Sequence, residues 1–192
     1  DFDSTFVKIE ALDTLAAIVL RHNPKHDEIV KKIEEITKMG MDGKISFSES
    51  LEQRLALFSP ASEDVETLVD ALKKNISKSI LENKDWFRKN AKRIYIISGG
   101  FFEYIAPVVS DLGIWSDHIL ANRFVYGKSG EIIGFDKKNF LAQKQGKVKQ
   151  MEALNLDGYV TVIGDGFTDY EIRKNGKADK FIAFTENVSR ES

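Results

Sequence analysis

The sequence of 192 residues has no cysteine, only three prolines and only three histidines. The missing thiols exclude disulfides, thiolate nucleophiles and cysteine-based metal sites, and they suit a cytoplasmic protein, the compartment expected here. His22, His26 and His118 are scattered, so a zinc centre built on histidine is not expected. Positive charge is not in surplus either: the formal net charge is -2, so no broad basic surface suggests nucleic acid. No apolar run approaches the roughly 18–20 residues that span a bilayer, and no signal peptide opens the sequence. The expected partner is therefore a small molecule, neither nucleic acid nor a membrane, with the oligomeric state left open. An initiating methionine is absent too. A catalytic aspartate needs a rigid strand behind it, so a chain opening at Asp1 is expected to have lost a first strand by trimming.

What is present is a hydrophobic fraction of 42%, enough to bury one core with a small insert. Leu12, Leu15, Ala16 and Val19 recur on one face and predict a helix over Ala11–Leu20. A second helix is expected over Asp27–Met39, then a turn at Met41-Asp42-Gly43-Lys44. Ser46 and Glu49 form a capping-box pattern for a helix reaching about Leu57. Pro60 breaks the chain, and Ser62 is expected to cap a fourth helix carrying Val65, Leu68, Val69 and Leu72. No strand is expected from Asp13 to about Ile76, which marks a helical insert.

The texture then changes. Arg93–Ile97 reads as a strand ended by Ser98-Gly99-Gly100, and Phe102–Leu112 as a helix containing Pro107. Ile119–Tyr126 and Glu131–Phe135 flank Gly127-Lys128-Ser129-Gly130 as a hairpin. Lys147–Leu154 is a helix, Tyr159–Ile163 a buried strand, and Phe181–Phe184 a last strand. This alternation predicts an α/β fold with a doubly wound, largely parallel sheet, in which ligands bind beyond the carboxyl ends of the strands. Residues 1–12 and 77–192 would form that core, and 13–76 an inserted helical cap.

Four motifs fall where such a site belongs. Asp1 and Asp3, one residue apart, can face one pocket and divide the labour of nucleophile and proton donor. Ser98-Gly99-Gly100 offers a hydroxyl and unhindered N–H groups to a phosphate near a helix start. Lys144 and Lys147 each stand where an ammonium could meet a phosphate oxygen. In Gly164-Asp165-Gly166-Phe167-Thr168-Asp169, two carboxylates suit a hard cation such as Mg²⁺, and the glycines admit a close approach. Together these residue types point to phosphoryl transfer.

The ordered set resembles the haloacid dehalogenase superfamily, and within it the phosphoserine phosphatases, over nearly the whole chain. The resemblance implies that Asp1 is the nucleophile and takes the phosphoryl group as an aspartyl-phosphate. Asp3 would protonate the leaving oxygen and later activate water. Mg²⁺ would be held by the Asp1 carboxylate, the Asp3 backbone carbonyl, Asp165 and Asp169. Ser98, Gly99, Gly100 and a lysine, Lys147 in preference to Lys144, would bind the phosphoryl oxygens. Glu10 and Arg54 match the family's positions for the ammonium and carboxylate of phosphoserine, and Met41 and Phe47 its apolar shield. The implied reaction is hydrolysis of O-phosphoserine to serine and phosphate, a step of serine biosynthesis.

Two positions depart from the family pattern. Phe167 stands where a small residue is common, and Gln145 separates Lys144 from Gly146. The rival expectations are the same chemistry on another small phosphomonoester, and a non-catalytic domain that binds a phosphorylated ligand.

Overall fold

A computed structural model describes residues 1–41 and 44–189. Four helices follow the first ten residues: α1 (Ala11–Leu20), α2 (His26–Met41), α3 (Phe47–Phe58) and α4 (Ser62–Lys74). The periodicity placed α1 at its observed limits, and the capping box of α3 is formed. Glu49 N–H donates to Ser46 Oγ at 3.1 Å, and Ser46 N–H donates to Glu49 Oε2 at 2.8 Å. Such a cap stabilises a helix by about 1 kcal/mol. The start of α4 differs from expectation. Ser62 is its first helical residue, and the Asp64 carboxylate caps instead by accepting the Ala61 N–H at 2.9 Å. No strand forms among the described residues of 13–76, apart from isolated bridges at Ala61 and Ile76. The expected turn includes Asp42 and Gly43, which lie outside the described residues.

Two short helices, α5 (Lys78–Glu82) and α6 (Lys84–Asn90), lead into β1 (Ile96–Phe101). The strand starts later than expected, because Ala91–Arg93 closes a 3-10 turn, and it runs through Ser98-Gly99-Gly100 instead of ending before it. Next come α7 (Phe102–Val109), a 3-10 turn, and β2 (Ile119–Asn122), parallel to β1 with Ile96 opposite Ile119. A parallel pair needs a crossover, and α7 supplies it. The expected single strand Ile119–Tyr126 is in fact two. It breaks at Arg123, and β3 (Phe124–Tyr126) pairs antiparallel with β4 (Ile132–Phe135) across the expected turn. After α8 (Gly146–Leu154), β5 (Thr161–Gly164), α9 (Phe167–Lys174) and β6 (Lys180–Ala183) form a second parallel β-α-β unit, with Thr161 opposite Lys180.

Within the described residues the strands form three two-stranded sheets, β1-β2, β3-β4 and β5-β6. Tyr159–Ile163 was expected to be buried, yet Tyr159 is 74% and Ile163 44% exposed. Tyr159 precedes β5, and among the described residues β6 alone pairs with β5. Its other side is met by the Asp1 nitrogen, which donates to Ile163 O at 3.1 Å.

Two clusters hold the molecule together. In the larger, Leu15 of α1, Leu51 of α3 and Leu68 and Leu72 of α4 pack with Phe2 and with Tyr104 and Ile105 of α7. In the smaller, Ile97 of β1 meets Val148 and Met151 of α8 and Ile172 of α9. Helix α8 thus ties the two parallel units together.

Candidate active site

Residues 1–7 form a tight turn around one carbonyl. Phe2 O accepts the N–H groups of Thr5, Phe6 and Val7 at 3.3, 2.8 and 3.1 Å. The Phe2 side chain anchors the turn, fully buried and stacked on Phe6 at 5.7 Å between ring centroids. Apolar anchoring at position 2 leaves Asp1 and Asp3 on either side of it, turned toward the site.

Asp1 is fixed twice through one oxygen. Its Oδ1 accepts the Phe2 N–H at 2.7 Å and lies 2.9 Å from Lys147 Nζ. The same ammonium donates to Asp169 Oδ1 at 2.7 Å. The three side chains are 10%, 12% and 2% exposed respectively, so the attraction acts away from bulk water and is screened far less than at the surface. Of the two candidate lysines, Lys147 is the one brought to Asp1 and Asp169. Lys144 is exposed. Gln145, between them, adopts a left-handed backbone with φ 55° just before α8, and the helix that follows aims Lys147 inward.

Asp3 is placed differently. Its Oδ1 accepts the Ala11 N–H at the start of α1, 2.7 Å away. Burial pushes its carboxyl up from 3.8 to about 7, reinforced by the charge of Glu10 and opposed by the Ala11 N–H and Lys147. Two aspartates one residue apart thus occupy opposite electrostatic settings, Asp1 against an ammonium and Asp3 against a carboxylate.

The carboxylates of Asp1, Asp165 and Asp169 each bring an oxygen within 4.8 Å of the others. Asp169 Oδ2 is buried and has no hydrogen-bond partner among the described residues. A set of carboxylate oxygens with one buried and unsatisfied fits a hard divalent cation such as Mg²⁺. Gly164 is required here for space, since a Cβ on it would collide with the Asp169 carboxyl. The Asp3 carboxylate is not part of this set.

Ser98 Oγ accepts the Gly100 N–H at 3.0 Å, and Ser98 is buried at the end of β1. The Phe47 ring of α3 lies 3.2 Å from where a Cβ on Gly99 would sit, so the helical segment touches the glycine backbone of the site. Arg54, two α3 turns further on, is partly exposed and donates from Nε to Ser50 O at 3.4 Å. Burial pulls the guanidinium below its ordinary value, and the charges of Asp13, Tyr104, Glu10 and Asp3, in that order, act against it. The structure thus gathers Asp1, Asp3, Glu10, Phe47, Arg54, Ser98, Gly99, Gly100, Lys147, Asp165 and Asp169 around one region. Met41 closes α2, and its side chain lies outside the described residues. Phe167 is 61% exposed and meets Tyr170 and Lys174.

Four residues at the site carried no expectation. Asp13 accompanies Arg54, and its spacing of three from Glu10 on one helical turn was the available signal. Tyr104, 1% exposed, puts its hydroxyl 2.5 Å from a Cβ position on Gly100, a point within 3.2 Å of both Asp3 Oδ2 and Ser98 Oγ. Asn122 donates from Nδ2 to Gly99 O at 2.8 Å. Ser4 Oγ donates to Glu10 Oε1 at 2.6 Å. No local pattern announces the last three.

A haloacid dehalogenase-like hydrolase model matches residues 1–172, and the chain belongs to that family. Among its relatives, a chloroplastic phosphoserine phosphatase of Arabidopsis thaliana is 37% identical, over all of this chain and 63% of its own length. A phosphoserine phosphatase of Bos taurus is 32% identical, over all of this chain and 82% of its own. The chain thus spans less than two thirds of the plant protein. A phosphoserine phosphohydrolase-like protein from Francisella tularensis subsp. tularensis SCHU S4 superposes with a TM-score of 0.82 at 33% identity, covering all of this chain and 88% of that one. No helix among the described residues is long and apolar enough to cross a membrane.

Proposed function

We propose that the chain is a Mg²⁺-dependent phosphomonoester hydrolase acting on O-phosphoserine, with residues 13–76 as its cap. The observation that carries the chemistry is Lys147, whose ammonium lies 2.9 Å from Asp1 and 2.7 Å from Asp169. It lies against the Asp1 carboxylate, and a phosphoryl group would bind between them and Ser98 with the glycine N–H groups. The Asp1 carboxylate attacks phosphorus and the bond to the serine oxygen breaks, leaving an aspartyl-phosphate. Asp3, kept protonated toward neutrality by burial, gives its proton to the departing oxygen. As a carboxylate it then takes a proton from the water that hydrolyses the intermediate, which restores both residues. Asp1, Asp165, Asp169 and the Asp3 carbonyl would hold Mg²⁺, which when bound offsets the charge of the phosphate dianion among carboxylates.

The substrate reading rests on Arg54 and Glu10 standing within electrostatic reach of each other and of Asp3. A guanidinium suits the α-carboxylate and a carboxylate the ammonium. The names of the two relatives support the same substrate, and a cytoplasmic setting is proposed from the absence of cysteine. The test is phosphate release from a panel of phosphomonoesters with Mg²⁺ and with EDTA. O-phosphoserine should lead the panel and EDTA should abolish turnover. Equal rates on sugar and alcohol phosphates would leave a general small-phosphomonoester phosphatase.

A further inference from the structure

Ser4 is unusual in burial and in backbone. It is a serine at 3% exposure in the middle of a polar turn, and its backbone is left-handed with φ 54°. A residue with a Cβ adopts that conformation against a steric penalty. Strain of this kind persists only where the surroundings over-determine it, and it gathers at sites of function.

The surroundings do so here. Phe2 O gathers three N–H groups on the far side of Ser4. Asn187 Nδ2, near the other end of the described chain, donates to Ser4 O at 3.2 Å and to Ser77 Oγ at 2.7 Å. Ser77, fully buried, donates in turn to Thr5 O at 2.6 Å. Two remote segments therefore grip the backbone on which Ser4 stands. The side chain released by this twist makes one contact of consequence, a 2.6 Å hydrogen bond from its Oγ to Oε1 of Glu10, six residues on.

Glu10 itself is exposed at the N-cap position of α1. A hydroxyl that fixes one oxygen restricts the carboxylate to one orientation, which lowers the ordering cost of binding a cation there. We propose that Ser4 is a specificity-positioning residue, holding the Glu10 carboxylate in the orientation that receives the ammonium of the substrate. The inference rests on the O-phosphoserine reading above and deepens it. Ser4 acts only through Glu10 and does not touch the reacting atoms.

The test compares O-phosphoserine with 3-phosphooxypropanoate, the same molecule with hydrogen in place of the ammonium, in the Mg²⁺-loaded enzyme. Ser4→Ala should raise KM for O-phosphoserine by about tenfold, the scale of one hydrogen bond to a charged group. The value of kcat should change little, and both constants for 3-phosphooxypropanoate should stay near wild type. Ser4→Gly removes the same hydroxyl at a backbone that glycine adopts without strain, so it should show the same KM signature with no loss of melting temperature. In a Glu10→Gln background, Ser4→Ala should add nothing further, because the group it orients no longer carries charge.

Wild-type enzyme that does not prefer O-phosphoserine over the des-amino analogue overturns both the substrate reading and the role of Ser4. A wild-type preference that survives intact in both Ser4 variants overturns the role of Ser4 alone. Equal losses on both substrates do the same, since they mark a structural defect of the turn.

Discussion

Lys147 and Asp169 meet at 2.7 Å with the carboxylate only 2% exposed, and the same ammonium reaches Asp1 at 2.9 Å. One cation thus fixes both the residue that would attack and a residue that would hold metal, although the three are far apart in the chain. Its removal should be felt in rate and in stability. Lys147→Ala should lower kcat by about 10²–10³-fold, the usual scale for losing one preorganised charge in a site. It should also destabilise the metal-free protein, by leaving a buried carboxylate unpaired. Lys144→Ala, at an exposed position, should change neither. Steady-state kinetics with thermal melts in EDTA checks both halves, and the reverse result would reassign the lysine.

Asp1 and Asp3 should fail in different ways. Asp1→Asn should abolish turnover with the fold intact, since an amide cannot form the acyl-phosphate. Asp3→Asn should impair O-phosphoserine far more than p-nitrophenyl phosphate, whose leaving group needs no proton. Equal losses on the two substrates would argue against Asp3 as the acid.

A pH dependence follows from the burial of Asp3. Its carboxyl rises from 3.8 to about 7 on folding, so the folded protein holds that proton more tightly than the unfolded chain. The resulting stability is complete below about pH 4 and is lost as pH rises through about 7. In metal-free protein, the stability of wild type relative to Asp3→Asn should therefore fall across that window. Denaturant titrations at pH 4, 5.5, 7 and 8 would show it, and a flat difference would refute the buried placement of Asp3.

Arg54 separates the substrate readings. If its guanidinium holds the α-carboxylate, Arg54→Ala should depress kcat/KM for O-phosphoserine by about 2–5 kcal/mol, as for a truncated buried charge pair. It should largely spare p-nitrophenyl phosphate, which has no carboxylate. A parallel fall on both would make Arg54 structural or a phosphate ligand, and no fall on either would favour the general phosphatase.

What the sequence determined by itself was local or ordered. The apolar period of α1 and the Ser46–Glu49 capping box act within a few residues, so their signals survive in one dimension and the helices fall where expected. The four motifs were legible because their residue types carry the chemistry wherever the chain places them. What only the tertiary structure decided involves partners distant in sequence. The break at Arg123, which sends Ile119–Asn122 to one sheet and Phe124–Tyr126 to another, depends on which neighbours those strands find. The exposure of Ile163 depends on which segments flank β5. Lys144 and Lys147 are indistinguishable by composition, and the left-handed turn at Gln145 before α8 chooses between them. The Ser4 turn is held by Asn187, 183 residues away, and no periodicity encodes such a contact. Helices and motifs follow from nearest neighbours, whereas the direction in which a carboxylate or ammonium points follows from what the whole chain buries around it.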